Sequence, residues 1–151
     1  MGYEARGLYI EDFEDDKIYT SQARTITETD VMNFAGLTGD FNPLHTDEEF
    51  AKEGPFKARV AHGMLGGAIM TGMSNQLGIF EGTTIAFLEL TQKYVAPLFI
   101  GATVHLELKI KEKRMSSKPG RGIITFFANL IDSEGKHITE AEWVITMQAR
   151  S

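Results

Sequence analysis

An α+β fold, with an antiparallel sheet wrapped around a long glycine-rich central helix, is what this sequence predicts. Three observations carry that expectation. Residues 63–77, GMLGGAIMTGMSNQL, set Met, Leu, Ile and Ala nearly all round a helix and contain no Asp, Glu, Lys or Arg, as a helix buried on most sides requires. Beyond them the period changes to two: Val104, Leu106, Leu108 and Ile110 alternate with Thr103, His105, Glu107 and Lys109. No repeat, low-complexity tract or linker divides the 151 residues, so residues 1–151 form one domain, long enough for a core of its own.

The elements follow in order. Residues 17–26, KIYTSQARTI, read as a first strand. Thr27 with Asp30 forms a relaxed capping box ahead of the stripe Val31, Phe34 and Ala35, and Gly36 and Gly39 end that helix. A loop follows, and Asp47 caps a short helix that runs through Ala51 until Gly54-Pro55 breaks it. In the long helix Gly66, Gly67 and Gly72 each cost about 1 kcal/mol relative to Ala, so close packing must compensate. Thr84–Val95, Ala102–Ile110, Gly122–Ile131 and His137–Met147 are the four strands, the last two joined by the turn DSEGK. Four antiparallel strands after one buried helix make a hot-dog architecture.

Composition narrows the function. The chain is 42% apolar and 24% charged, ordinary for a soluble globule. Its net charge of −6 lacks the basic footprint of a nucleic-acid binder. Without cysteine there is no disulfide, thiol nucleophile or thiolate metal site. The acidic N-terminus has no apolar signal region, and the apolar-rich stretch 60–80 is too broken by glycines and polar residues to span a membrane. A cytoplasmic protein with neither nucleic-acid nor membrane partners is expected.

The segment TGDFNPLHTDEEF, 38–50, concentrates the chemistry. Asp, Asn and Pro make a good turn, but a turn has no need of the histidine. Calcium fits badly: counted from Asp40, an EF-hand loop would place His45 where glycine is needed and Ala51 where the bidentate Glu belongs. Zinc would draw on His45, His62 and a distant carboxylate, without tight ligand spacing. Asp40 and His45 on one rigid loop can instead bracket a single water, one group taking a proton and the other delivering one. Imidazole titrates near neutrality, Pro43 fixes φ, and Asn42 can hydrogen-bond the loop's own backbone. Ala61-His62-Gly63 stands directly before the long helix, where glycine leaves bare N–H groups at the positive end of the dipole to meet a developing oxyanion. The alternative is that Gly63 merely relieves crowding where strand meets helix.

The runs G39-D40-F41-N42-P43-L44-H45 and A58-R59-V60-A61-H62-G63-M64-L65, with Y94-V95-A96-P97-L98-F99-I100-G101 further on, resemble the MaoC-like family, which includes the (R)-specific enoyl-CoA hydratases. The resemblance spans nearly the whole chain. It implies a hot-dog domain, usually dimeric, that adds water across the double bond of a trans-2-enoyl thioester or removes it. By the same resemblance Asp40 and His45 are the catalytic dyad, Gly63 supplies the oxyanion-binding N–H, and Asn42 stabilises the loop. Thr71 stands where some members carry a serine. No cofactor and no metal are implied.

The expected partner is an acyl-CoA or acyl-carrier thioester, with His62, Thr71, Lys57 and Arg59 as candidate substrate contacts. The basic residues Lys109, Lys111, Lys113, Arg114, Lys118 and Arg121 are either phosphate contacts or a solvated hairpin tip. Gly66 and Gly67 are expected to leave acyl-chain room. A hot-dog thioesterase is the nearest rival, although helix 63–77 lacks the carboxylate such hydrolysis commonly uses; a non-catalytic thioester binder is the other. Edge-strand pairing is expected to give a homodimer or higher homo-oligomer.

Overall fold

The computed structural model describes residues 2–151. In chain order the elements are β1 (Ile18–Thr20), β2 (Arg24–Thr25), α1 (Glu28–Thr38), α2 (Pro43–Thr46), α3 (Glu48–Glu53), α4 (Gly63–Gln76), β3 (Thr84–Tyr94), β4 (Thr103–Met115), β5 (Arg121–Asp132) and β6 (His137–Gln148). The sheet is antiparallel in the order β1-β4-β5-β6-β3, with β2 beside β1 on the same edge of β4. It curls round α4, which is the hot-dog arrangement expected.

Alternation builds the core. Val104, Leu106 and Leu108 of β4, Ile124, Phe126 and Leu130 of β5, and Trp143, Ile145 and Met147 of β6 are buried. Leu65, Ile69, Met70 and Met73 of α4 complete the same cluster. Phe126 sits at its centre, fully buried, with its ring 5.7 Å from Phe13 and 5.6 Å from Phe80, both edge-on. Removing that ring deletes a fully buried aromatic from the packing centre. Phe126→Ala should therefore lose about 3–5 kcal/mol in urea unfolding; a loss under about 1 kcal/mol would place the packing centre elsewhere.

Four sequence expectations need adjustment. The first strand is two short pieces, because Ser21 turns its side chain into the ladder: its Oγ accepts from the Leu106 N–H at 2.8 Å. Helix α1 is capped as expected, Thr27 Oγ1 accepting from Asp30 N–H and the Asp30 carboxylate from Thr27 N–H. Gly36 lies within it, and Gly39 alone, at φ 78°, ends it. The motif loop contains a helical turn, α2. Finally, α4 is not buried all round: Met64, Ala68, Thr71, Gly72 and Asn75 form an exposed stripe.

Of the three mid-helix glycines, Gly72 is exposed with nothing within 4 Å of an added Cβ, so packing does not offset its cost. Gly66 and Gly67 are explained by contacts within the chain. A Cβ at Gly66 would press to 3.3 Å from Leu98, and one at Gly67 would lie 2.7 Å from the Gln92 amide. The volume they release is thus filled by Leu98 and Gln92, not left open for an acyl chain. Edge strand β3 pairs only with β6, is bulged between Thr84 and Ala86 and between Phe87 and Glu89, and is largely exposed.

Candidate active site

Helix α1 delivers the chain to the site. After Gly39, Asp40 N–H donates to Thr38 Oγ1 at 3.1 Å, and Asp40 Oδ1 accepts from Asn42 N–H at 3.2 Å. Asn42 then caps α2: its Oδ1 accepts from Leu44 N–H at 3.1 Å, with Pro43 as the first helical residue. Thr46 Oγ1 donates back to the carbonyls of Phe41 and Asn42. Six residues therefore satisfy one another locally, which fixes Asp40 and His45 relative to each other.

A second segment, 59–63, closes over this loop. Val60 bridges to Phe99, and Ala61 N–H donates to Leu98 O, so the segment is tied to the core. His45 Nδ1 lies 2.6 Å from Val60 O. A carbonyl can only accept, so Nδ1 carries the hydrogen and, in the neutral ring, Nε2 holds the lone pair. His62 is 3% exposed and stacks on His45 with ring centroids 3.9 Å apart. Its Nε2 is 2.9 Å from Asp40 O, so it donates there and grips the backbone of the acid residue. Its buried Nδ1 has no hydrogen-bond partner among the described residues.

One carboxylate oxygen of Asp40 and one ring nitrogen of each histidine lie within 4.8 Å of one another. A water hydrogen-bonded at about 2.8 Å to two groups spans up to about 5.5 Å, so the separation of Asp40 and His45 is one that a single water can bridge. His62 Nε2 is spent on the Asp40 carbonyl and His45 Nδ1 on the Val60 carbonyl, so each histidine keeps one ring nitrogen for another partner.

Asp40, His45, His62 and Gly63 open into a cavity of about 640 Å³ with walls that include Phe34, Leu44, Phe56, Tyr94, Leu98 and Ile138. Gly63 begins α4; its N-cap His62 makes no side-chain cap bond, and the Gly63 N–H has no acceptor among the described residues. Crowding accounts for Gly63 in its own right. A Cβ there would come within 2.6 Å of the Tyr94 ring, whose hydroxyl accepts from Gln92 Nε2 at 2.8 Å.

Other candidates fall elsewhere. Thr71 lines a separate cavity of about 340 Å³ with Ser74, Asn75 and Trp143, and its hydroxyl donates to Ala68 O. Lys57, at φ 59°, is exposed and is not among the lining residues of the larger cavity. Arg59 does not line it either; its guanidinium is engaged by Glu28 and Glu48. The basic residues of the β4–β5 hairpin line neither cavity; Lys111 pairs with Glu142, and Lys113 with Asp15. What the sequence did not announce is the Val60 carbonyl that sets the His45 tautomer, since a backbone group leaves no trace in residue type.

The profile of the family described as MaoC like domain matches residues 11–126. An (R)-specific enoyl-CoA hydratase of Rhodospirillum rubrum is 32% identical over 143 residues, covering 94% of this chain and 93% of the relative. Among solved structures, R-hydratase PhaJ1 from Pseudomonas aeruginosa superposes with a TM-score of 0.79 at 27% identity, covering 95% of this chain and 88% of that one. A Mycobacterium tuberculosis protein described as a double hot-dog fold shares the fold alone, with a TM-score of 0.83 at 17% identity over 97% of this chain and 46% of its own. With a family profile and a hydratase relative both spanning most of its length, the chain belongs to the MaoC-like domain family.

Proposed function

We propose that the protein catalyses the reversible hydration of trans-2-enoyl thioesters, acyl-CoA or acyl-carrier, to (R)-3-hydroxyacyl thioesters. The observation that carries this is the fixed His45 tautomer, which leaves the Nε2 lone pair free, while Asp40 and His45 line one apolar-walled cavity with a carboxylate oxygen and a ring nitrogen within 4.8 Å of each other. Water held between the two loses a proton to His45 Nε2 as its oxygen bonds to C3. The C2–C3 π electrons shift toward the thioester, and the negative charge gathering on its oxygen meets the free N–H of Gly63 at the head of α4. Asp40 then gives its proton to C2. The pair holds one transferable proton throughout: carboxyl with neutral imidazole on the hydration side, carboxylate with imidazolium on the dehydration side.

Crotonyl-CoA and longer enoyl-CoAs test the reading. Loss of the conjugated enoyl absorbance with formation of the (R)-3-hydroxy product is expected; release of free thiol instead would establish the thioesterase, and binding without turnover the silent binder.

The same reading takes the protein as a homodimer. Strand β3 runs for 11 residues with an unpaired outer edge, and Ile85, Phe87, Leu88 and Leu90 are exposed along it. Long apolar edges attract another strand, and a second copy's β3 would cover both this edge and the open stripe of α4. Leu88→Lys with Leu90→Lys should shift the sedimenting species from dimer to monomer; an unchanged dimer would show that another face mediates association.

A further inference from the structure

We infer that Arg59 is a positioning residue for His45, acting through the loop rather than on the substrate. The inference rests on the proposed Asp40/His45 acid–base pair. The two flanks of the catalytic loop are helix starts: Glu28 opens α1, whose far end leads into Asp40, and Glu48 opens α3, directly after α2. One guanidinium ties both. Arg59 Nη1 and Nη2 donate to the two Glu28 carboxylate oxygens at 2.7 and 2.6 Å, a bidentate pair. Its Nε donates to Glu48 at 2.7 Å, and Nη1 lies 3.4 Å from the His45 carbonyl oxygen.

The neighbouring residue completes the grip. Arg59 holds the backbone of His45 while the carbonyl of Val60, next in the chain, takes the His45 ring N–H at 2.6 Å. Adjacent residues therefore hold the same residue at two points, its backbone carbonyl and its ring N–H. Arg59 is only 16% exposed at its side chain, unlike most arginines of this chain's other ion pairs. Hydrogen bonds from Arg59 hold the Glu28 carboxyl below its ordinary range. Because that value is depressed, the tie is complete above the ordinary carboxylate range and is released only as the pH falls through the lowered value. The two glutamates in turn hold the guanidinium proton more firmly than usual.

A lysine can satisfy the charge but not the planar fork, which spans two carboxylates and a carbonyl at once. A misplacement of about 1 Å at a reacting group can cost roughly 10²-fold in rate. The tests are Arg59→Met and Arg59→Lys in the full chain. Each is followed by steady-state kinetics, by thermal unfolding and by the ¹⁵N spectrum of the His45 ring, assigned by its loss in His45→Gln. In Arg59→Met, kcat should fall by about 10- to 100-fold while KM stays within about threefold, and the His45 ring should move from a single Nδ1–H tautomer to a mixture. Arg59→Lys should fall between the two. A merely structural role would lower the unfolding temperature without changing the ring spectrum or kcat of the folded protein, and that result overturns the inference. Should Arg59→Met fail to fold, Glu28→Gln removes the bidentate charge alone and should show the same ring signature at smaller amplitude; an unaltered ring there also overturns it. Should His45→Gln retain activity, the acid–base reading falls, whereas the ring spectrum still reports whether Arg59 sets the tautomer.

Discussion

Asp40→Asn and His45→Ala should each lower the hydration rate on crotonyl-CoA by about 10²–10⁴-fold, the usual contribution of positioned acid–base groups. Asparagine keeps the shape and the oxygen that accepts from Asn42 N–H, but it has no proton to give C2. Asp40 is 51% exposed at its side chain, so this change should leave unfolding within about 0.5 kcal/mol of wild type. His45→Ala loses more structure: the Val60 carbonyl gives up its 2.6 Å partner and His62 loses its stacked neighbour. Stability and rate therefore have to be read separately in that variant. In the proposed mechanism the two groups act on one water, so the double variant should be little slower than the worse single one. Additive losses would mean two independent roles, and an active Asp40→Asn would remove the carboxyl from the mechanism.

The parts of this site legible in the sequence are those built locally. The side chains of Asp40, Asn42 and Thr46 bond backbone groups within a few residues, so the turn can be read from its own residue types. The capping box at Thr27 and Asp30 was legible for the same reason. The pairing of Arg59 with Glu28 was not legible, because the two lie 31 residues apart and nothing in the sequence pairs them. His62 stood beside Gly63 in the motif, yet its hydrogen bond runs back 22 residues to a carbonyl. Periodicity found α4 and the long strands but could not show that one stripe of α4 stays open. An apolar or glycine-rich face looks the same whether it meets its own sheet or another surface. Glycine 66 and glycine 67 were likewise visible as gaps, but their fillers, Leu98 and the Gln92 amide, arrive from the far side of the chain.

Gly63 offers the other large effect, and two substitutions are needed to isolate it. Proline removes the free N–H from the head of α4 while suiting the backbone. It is at home in the first helical position, and the preceding His62, at φ −57° and ψ 134°, already has the extended conformation proline demands of its predecessor. Either alanine or proline introduces a Cβ about 2.6 Å from the Tyr94 ring, which must swing aside. Tyr94 is 53% exposed, so the ring has solvent to move into. Gly63→Ala therefore measures the displaced ring alone, with the N–H intact, and should alter kcat and KM modestly. Gly63→Pro adds the loss of the donor, and relative to alanine it should drop kcat by a further ~10²–10³-fold, the range seen when one oxyanion-hole donor is removed. Proline and alanine variants of equal kcat would mean that the thioester oxygen draws its stabilisation from elsewhere. A proline variant weakened only in KM would mean that the N–H binds substrate and transition state alike.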